Sequence, residues 1–179
     1  HSWGAFSAMN IVALHPDITH VVALSGFISV EQMLKQNFTG ILAGYRKPMW
    51  GLERRSNPDY VDFNAVESLK NTHAKVLLIY SADDKTVDAK YHFNLLKTAL
   101  AGKKNIRLME VQGKGHNPNY TEEAIKYKTA FFTALQKKRK QNALNTTEEK
   151  QAFVARFDWN KITEQDDAVW EKIFDHLDH

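Results

Sequence analysis

Lys75-Val76-Leu77-Leu78-Ile79-Tyr80-Ser81-Ala82-Asp83-Asp84-Lys85-Thr86-Val87 is the stretch that decides the fold. Its first six residues are apolar without alternation after Lys75, the pattern of a strand covered on both faces. Two acids end the run. Upstream, His20-Val21-Val22-Ala23-Leu24-Ser25 is another short apolar run, closed by Gly26. Downstream, residues 88–101 put Phe93, Leu96 and Leu100 on one helical stripe, with Gly102 as the stop. Ile106 to Val111 alternates and predicts a further strand.

Helices flank these strands. Residues 3–14 predict a buried helix, small at Gly4, Ala5, Ser7 and Ala8 and apolar at Phe6, Met9, Ile11, Val12 and Leu14, ended by His15-Pro16-Asp17. Residues 121–138 predict another, with Thr121-Glu122-Glu123 at its positive end and a stripe of Ala124, Tyr127, Phe131 and Leu135. Helices alternating with strands imply the α/β class, a parallel sheet covered by helices.

Residues 29–72 are irregular. Met33, Leu34, Phe38, Ile41, Leu42 and Tyr45 suggest one or two short helices, Pro48-Met49-Trp50-Gly51 and Ser56-Asn57-Pro58-Asp59-Tyr60 read as loop, and residues 64–70 as a short helix. A connection this long is often functional. Residues 141–147 read as a linker, and helices are expected at 147–157 and 163–177. Phe153 and Phe157 form one stripe there, Val169, Ile173 and Leu177 another, Trp170 and Phe174 a third, and each must cover the domain or a partner subunit.

Composition narrows the function. At 179 residues, 43% apolar and 25% charged, the chain can hold one substantial core. No apolar run reaches the ~18 residues of a membrane span, so no membrane partner is expected. There is no cysteine, which removes disulfides, zinc thiolates and cysteine nucleophiles. Apart from His116, the histidines (His1, His15, His20, His73, His92, His176, His179) lack paired ligand spacing, so no metal and no cofactor is expected.

The net charge of +3 hides nine acidic and four basic side chains in residues 148–179. The basic body and acidic tail suggest that the tail lies on this body or on a neighbour's, leaving a homo-oligomer open. Lys137-Lys138-Arg139-Lys140 is the basic cluster, but cations at a helix C-terminus are explained by the dipole, so no nucleic acid is expected. The cytoplasm is the expected location, although neither cysteine content nor the start of the chain selects a compartment.

Three short motifs carry chemistry. His1-Ser2-Trp3-Gly4-Ala5 matches the last four positions of G-x-S-x-G. In that motif a strand turns sharply into a helix and presents the Ser at the turn. Asp84 follows a strand, with Val87 three residues on, and Gly113-Lys114-Gly115-His116-Asn117 follows the next. A serine hydroxyl needs a base within reach, and the base needs a group to hold its tautomer. Each residue also has a plain reading: Ser2 as a helix N-cap, Asp83 and Asp84 as caps of the next helix, His116 as a loop residue. The order Ser, acid, His, each at the end of a strand-like segment, is what the plain readings do not explain.

On these residues, 1–138 resemble the C-terminal half of an α/β-hydrolase, closest to the prolyl-oligopeptidase, dienelactone-hydrolase and acyl-esterase group. The resemblance implies Ser2 as nucleophile, Asp84 (favoured over Asp83 by the acid-x-x-Val spacing) as acid and His116 as base. It implies the Trp3 amide as one oxyanion donor, with a second donor from an N-terminal half of the domain that is expected to pair with this one. It places a cap-like insertion at 29–72, where Met33 and Trp50, with Phe38, Leu42, Tyr45 and Met49, line a substrate pocket or pack as core. Arg46, Lys47, Arg54 and Arg55 meet an anionic substrate or form a solvated face. The expected division is 1–140 as hydrolase domain and 141–179 as helical extension, on which the resemblance is silent. The expected activity is cleavage of a carboxylic ester, or of an amide or peptide bond, through an acyl-enzyme. The rival is a non-catalytic scaffold of the same fold.

Overall fold

The computed structural model describes residues 1–178; the expectation for His179 lies outside the described residues. Three parallel strands form the sheet: β1 (His20–Leu24), β2 (Lys75–Ser81) and β3 (Ile106–Val111), in that order. Val21 pairs with Val76, and Val76 with Ile106. The central strand is buried from Val76 to Ser81, which is why its sequence does not alternate.

One face is covered by α1 (Trp3–Ile11), α4 (Ala65–Asn71) and α5 (Phe93–Ala99). Phe6, Met9, Phe27, Leu69, Leu78, Tyr80, Phe93 and Leu96 make the main core there. Helix α1 is shorter than predicted: residues 12–14 continue only as turn. Small residues do let α1 approach the sheet, though not at Gly4, where an added Cβ would meet nothing within 4 Å. The tight point is Gly26, whose added Cβ would sit 2.9 Å from the Ala5 Cβ and 2.6 Å from the Met9 Cε.

The irregular region is more helical than its punctuation suggested. It holds α2 (Val30–Asn37), a 3-10 segment (Gly40–Tyr45) and α3 (Arg46–Ser56) before α4. Pro48 lies in the first turn of α3, where its missing N–H breaks no helical bond, so the predicted loop at 48–51 is helix. The helix expected from residue 88 begins only at Phe93, because Asp84 and Asp88 hold residues 85–92 in successive turns.

Helix α6 (Glu122–Lys140) turns its predicted stripe away from the sheet. Tyr127, Phe131 and Leu135 pack with Phe153, Phe157 and Ile162 of α7 (Thr147–Val154), α8 (Trp159–Ile162) and their junction. The other face of the sheet goes to α9 (Asp167–Asp178), which buries Val169 and Ile173 against Leu77 and Ile79 of β2. The acidic tail therefore lies on its own body. Phe174 and Leu177 stay exposed.

Candidate active site

In a parallel sheet the strand ends gather loops at one edge, and ligands bind there. The Ser2 amide donates to the Leu24 carbonyl at the end of β1 (2.9 Å), so the turn into α1 is anchored at that edge. Ser2 sits at φ 55°, ψ −117°, and its side chain makes no capping bond. An ordinary N-cap has extended backbone and caps the first turn, so the N-cap reading does not describe this residue. Its φ is one a non-glycine residue rarely adopts, at a cost of about 1–3 kcal/mol. The hydroxyl instead meets the Nε2 of His116 at 3.0 Å.

The Nδ1 of His116 lies 2.8 Å from Oδ2 of Asp84. Asp84 is buried, while a fifth (21%) of the His116 side chain is open to solvent. The other Asp84 oxygen accepts the amides of Thr86 (2.8 Å) and Val87 (3.0 Å). Both lone-pair directions are thus spoken for, and the carboxylate has one orientation. The carboxylate fixes an Nδ1–H tautomer of His116, leaving Nε2 free to accept from the serine.

Asp83 points elsewhere. It accepts from the Ser81 hydroxyl (2.5 Å) and the Gly115 amide (3.2 Å), tying the acid loop to the histidine loop. Burial works to raise its carboxyl, but these bonds outweigh it and hold the group below the usual range. Beneath the site Tyr80 donates to the Gly26 carbonyl; burial, aided by the Asp84 charge, pushes its phenol far up, so it remains a neutral donor.

The Trp3 amide opens α1, and the first amides of a helix have no carbonyl partner within it, so this N–H is placed to donate to a ligand. A cavity of about 210 Å³ opens beside Ser2 and Trp3. Met33 lines it together with Phe27, Val30, Leu34 and Val87, and Asn37, Glu53 and Thr86 add polar groups. Trp50 lies apart, in a neighbouring groove with Leu34, Lys35, Arg46 and Lys47. Arg46 donates to the Phe38 and Lys35 carbonyls, and Arg54 pairs with Asp62, so these two guanidiniums serve the fold.

Two supports escaped sequence reading. His92 is fully buried and accepts the Ile28 amide at Nδ1 (3.2 Å), which leaves Nε2–H to donate to the Gln36 side-chain oxygen at 3.2 Å. Desolvation by burial lowers its pKa to about 4, against the pull of Asp88 and Asp84, so it is a neutral strut. Gln36 also accepts the Asp88 amide, tying α2 to the acid loop. The second support is Lys114, two residues before His116 and paired with Asp166 at 2.7 Å. A glutamine and an aspartate remote in sequence gave no local signal for either. Among the described residues no cluster of His, Cys, Asp or Glu could hold a metal.

In geometry, a hydroxyl lies within hydrogen-bond reach of an imidazole whose other nitrogen faces a buried carboxylate. Comparison with curated proteins gives no match. The crystal structure of a protein described as a dipeptidyl aminopeptidase IV from Bacteroides ovatus ATCC 8483 aligns with 65% of this chain at 21% identity and a TM-score of 0.45. This chain spans about 15% of that protein's length. The sequence model of the prolyl oligopeptidase family matches residues 1–139. That stretch holds the Ser2 turn, the sheet and both loops, and the chain belongs to the prolyl oligopeptidase family, of the α/β-hydrolase fold.

Proposed function

We propose that Ser2, His116 and Asp84 form a catalytic triad that hydrolyses acyl bonds through an acyl-enzyme, with peptide bonds as the natural class and simple esters as competent substrates. The observation that carries the reading is the unbroken chain from Ser2 Oγ to His116 Nε2 (3.0 Å) and from His116 Nδ1 to the buried Asp84 (2.8 Å). Family membership supports the peptide bond.

The Ser2 hydroxyl attacks the substrate carbonyl as its proton passes to His116 Nε2. Asp84 stabilises the imidazolium without taking the proton. The tetrahedral oxygen accepts from the Trp3 amide at the positive end of α1. His116 then gives the proton to the leaving amine, and water repeats the sequence to free Ser2. The same machinery cleaves an ester more readily, because an alkoxide or phenolate needs less help to leave. The apolar cavity beside Ser2, with Met33 in its wall, receives an apolar side chain or acyl group.

Paired substrates test this. In the natural full-length protein, a peptide p-nitroanilide and a p-nitrophenyl ester should both turn over, and Ser2→Ala should abolish both. Turnover of the ester alone would reassign the protein as an esterase. Turnover of either by Ser2→Ala would remove Ser2 from the mechanism.

A further inference from the structure

The loop that carries His116 is gripped from two sides. On the β2 side, the Ser81 hydroxyl accepts the Lys114 amide (3.2 Å) and Asp83 accepts the Gly115 amide (3.2 Å). On the other side, His1 donates to the His116 carbonyl (2.6 Å) and Lys128 to the Asn117 side chain, and the remaining grips come from residues 164–166, outside the stretch that the family model matches. The Asp166 amide donates to the Asn119 carbonyl (2.8 Å), and the Thr121 amide to the Glu164 carbonyl (3.0 Å). Asn119 donates from its side chain to Gln165 (2.7 Å), and Tyr120 and Gln165 form an antiparallel bridge.

At the centre lies an ion pair. The Lys114 side chain is only 9% exposed, and its ammonium meets Oδ2 of Asp166 at 2.7 Å. A buried ammonium requires such a partner. The hydrogen bond and charge of Lys114 hold the Asp166 carboxyl below the usual range against a smaller cost of burial. The second Asp166 oxygen accepts the Ala168 amide (3.0 Å) and so caps α9. That helix is seated by Val169 and Ile173 on Leu77 and Ile79, in the strand that delivers Asp84. One carboxylate therefore ties the position of α9, and through it β2, to the side chain of Lys114, two residues before His116.

We propose that Lys114 and Asp166 are positioning residues for His116, and that the C-terminal extension sets the placement of the imidazole between Asp84 and Ser2. The proposal rests on the triad reading. Misplacing a reacting group by about 1 Å can cost on the order of 100-fold in rate, so breaking the pair should lower the chemical step without altering substrate binding.

The test uses Lys114→Met in the natural protein. This variant fills the same volume and leaves the Asp166 cap of α9 intact. The readouts are fluorophosphonate labelling of Ser2, kcat and KM on a p-nitrophenyl ester, and the downfield proton resonance of the His116 Nδ1–H. Labelling and kcat should fall about 10-fold to 100-fold with KM nearly unchanged. The resonance should shift or broaden, and Lys114→Arg should restore most of the rate. Asp166→Asn is the second variant and should behave alike if α9 stays folded by circular dichroism. A folded Lys114→Met protein with unchanged labelling and an unmoved resonance overturns the proposal. So does equal loss in Lys114→Arg, which would mean packing alone. Failure of the wild-type protein to label at Ser2 would instead overturn the triad reading.

Discussion

The two loops that meet at Ser2 hold their key side chains differently. In the acid loop after β2 the carboxylate itself is fixed by its neighbours: Asp84 takes the amides of Thr86 and Val87, two and three residues on, and sits buried, while Gln36 of α2 adds a distant tie at Asp88. The histidine loop after β3 is partly open and is held by distant groups, Asp83 from the previous loop and Asp166 from beyond α8. A carboxylate that must orient another group gains from local, rigid anchoring. On the proposed triad, a base that must shuttle a proton needs access to substrate, and much of its support comes from outside its own segment.

The largest effect should separate the adjacent acids. Asp84→Asn should lower kcat on the order of 10⁴-fold by stabilising the wrong imidazole tautomer, with the circular dichroism spectrum unchanged. Asp83→Asn should cost about 10-fold, since it removes a charge-assisted tie worth roughly 1.5 kcal/mol. Equal losses in steady-state kinetics would erase the distinction between orienting acid and loop anchor.

That distinction was partly legible in the residues. Val76 to Tyr80 declares a buried strand, and the acid-x-x-Val spacing of the family that the chain resembles favours Asp84, whose bonds to the Thr86 and Val87 amides lie within three residues. Ser2 carried its own ambiguity, since a serine before a helix is more often a plain cap. The positive φ, the missing capping bond and the contact with His116 set this serine apart from an ordinary cap. Pro48 was misleading because a proline in the first turn starts helices as readily as it marks loops. The Lys114–Asp166 pair spans 52 residues, and no periodicity connects its ends. The stripe of α6 was visible, but a stripe says that a face is covered, not by what. Here α7 and α8 cover it, and α9 takes the sheet.

The next effect tests the outside support. Ile173→Ala should destabilise the protein by about 2–5 kcal/mol in urea unfolding. Hydrogen exchange should show residues 113–120 loosening more than residues 83–88. Equal loosening would mean that α9 supports the sheet as a whole and not the histidine loop.

The smallest effect is in pH. His92 has a folded pKa of about 4 against an ordinary 6.5. The unfolded chain binds the proton first, so the stability of the neutral strut is lost as pH falls from about 6.5 towards 4. Asp83 and Asp166 are shifted down. Their contribution is present above the ordinary carboxyl value of about 3.9 and is lost as pH falls through their lower folded values. Exchange protection should therefore weaken first around residues 28, 36 and 88, and around 114–121 only in stronger acid. The reverse order would contradict the assignment of struts.

The most direct measurement is intact mass and peptide mapping of the natural protein after fluorophosphonate treatment. One adduct on Ser2, absent in His116→Ala, is the predicted result. A folded protein without an adduct, or an adduct that persists in His116→Ala, would contradict an imidazole-activated Ser2.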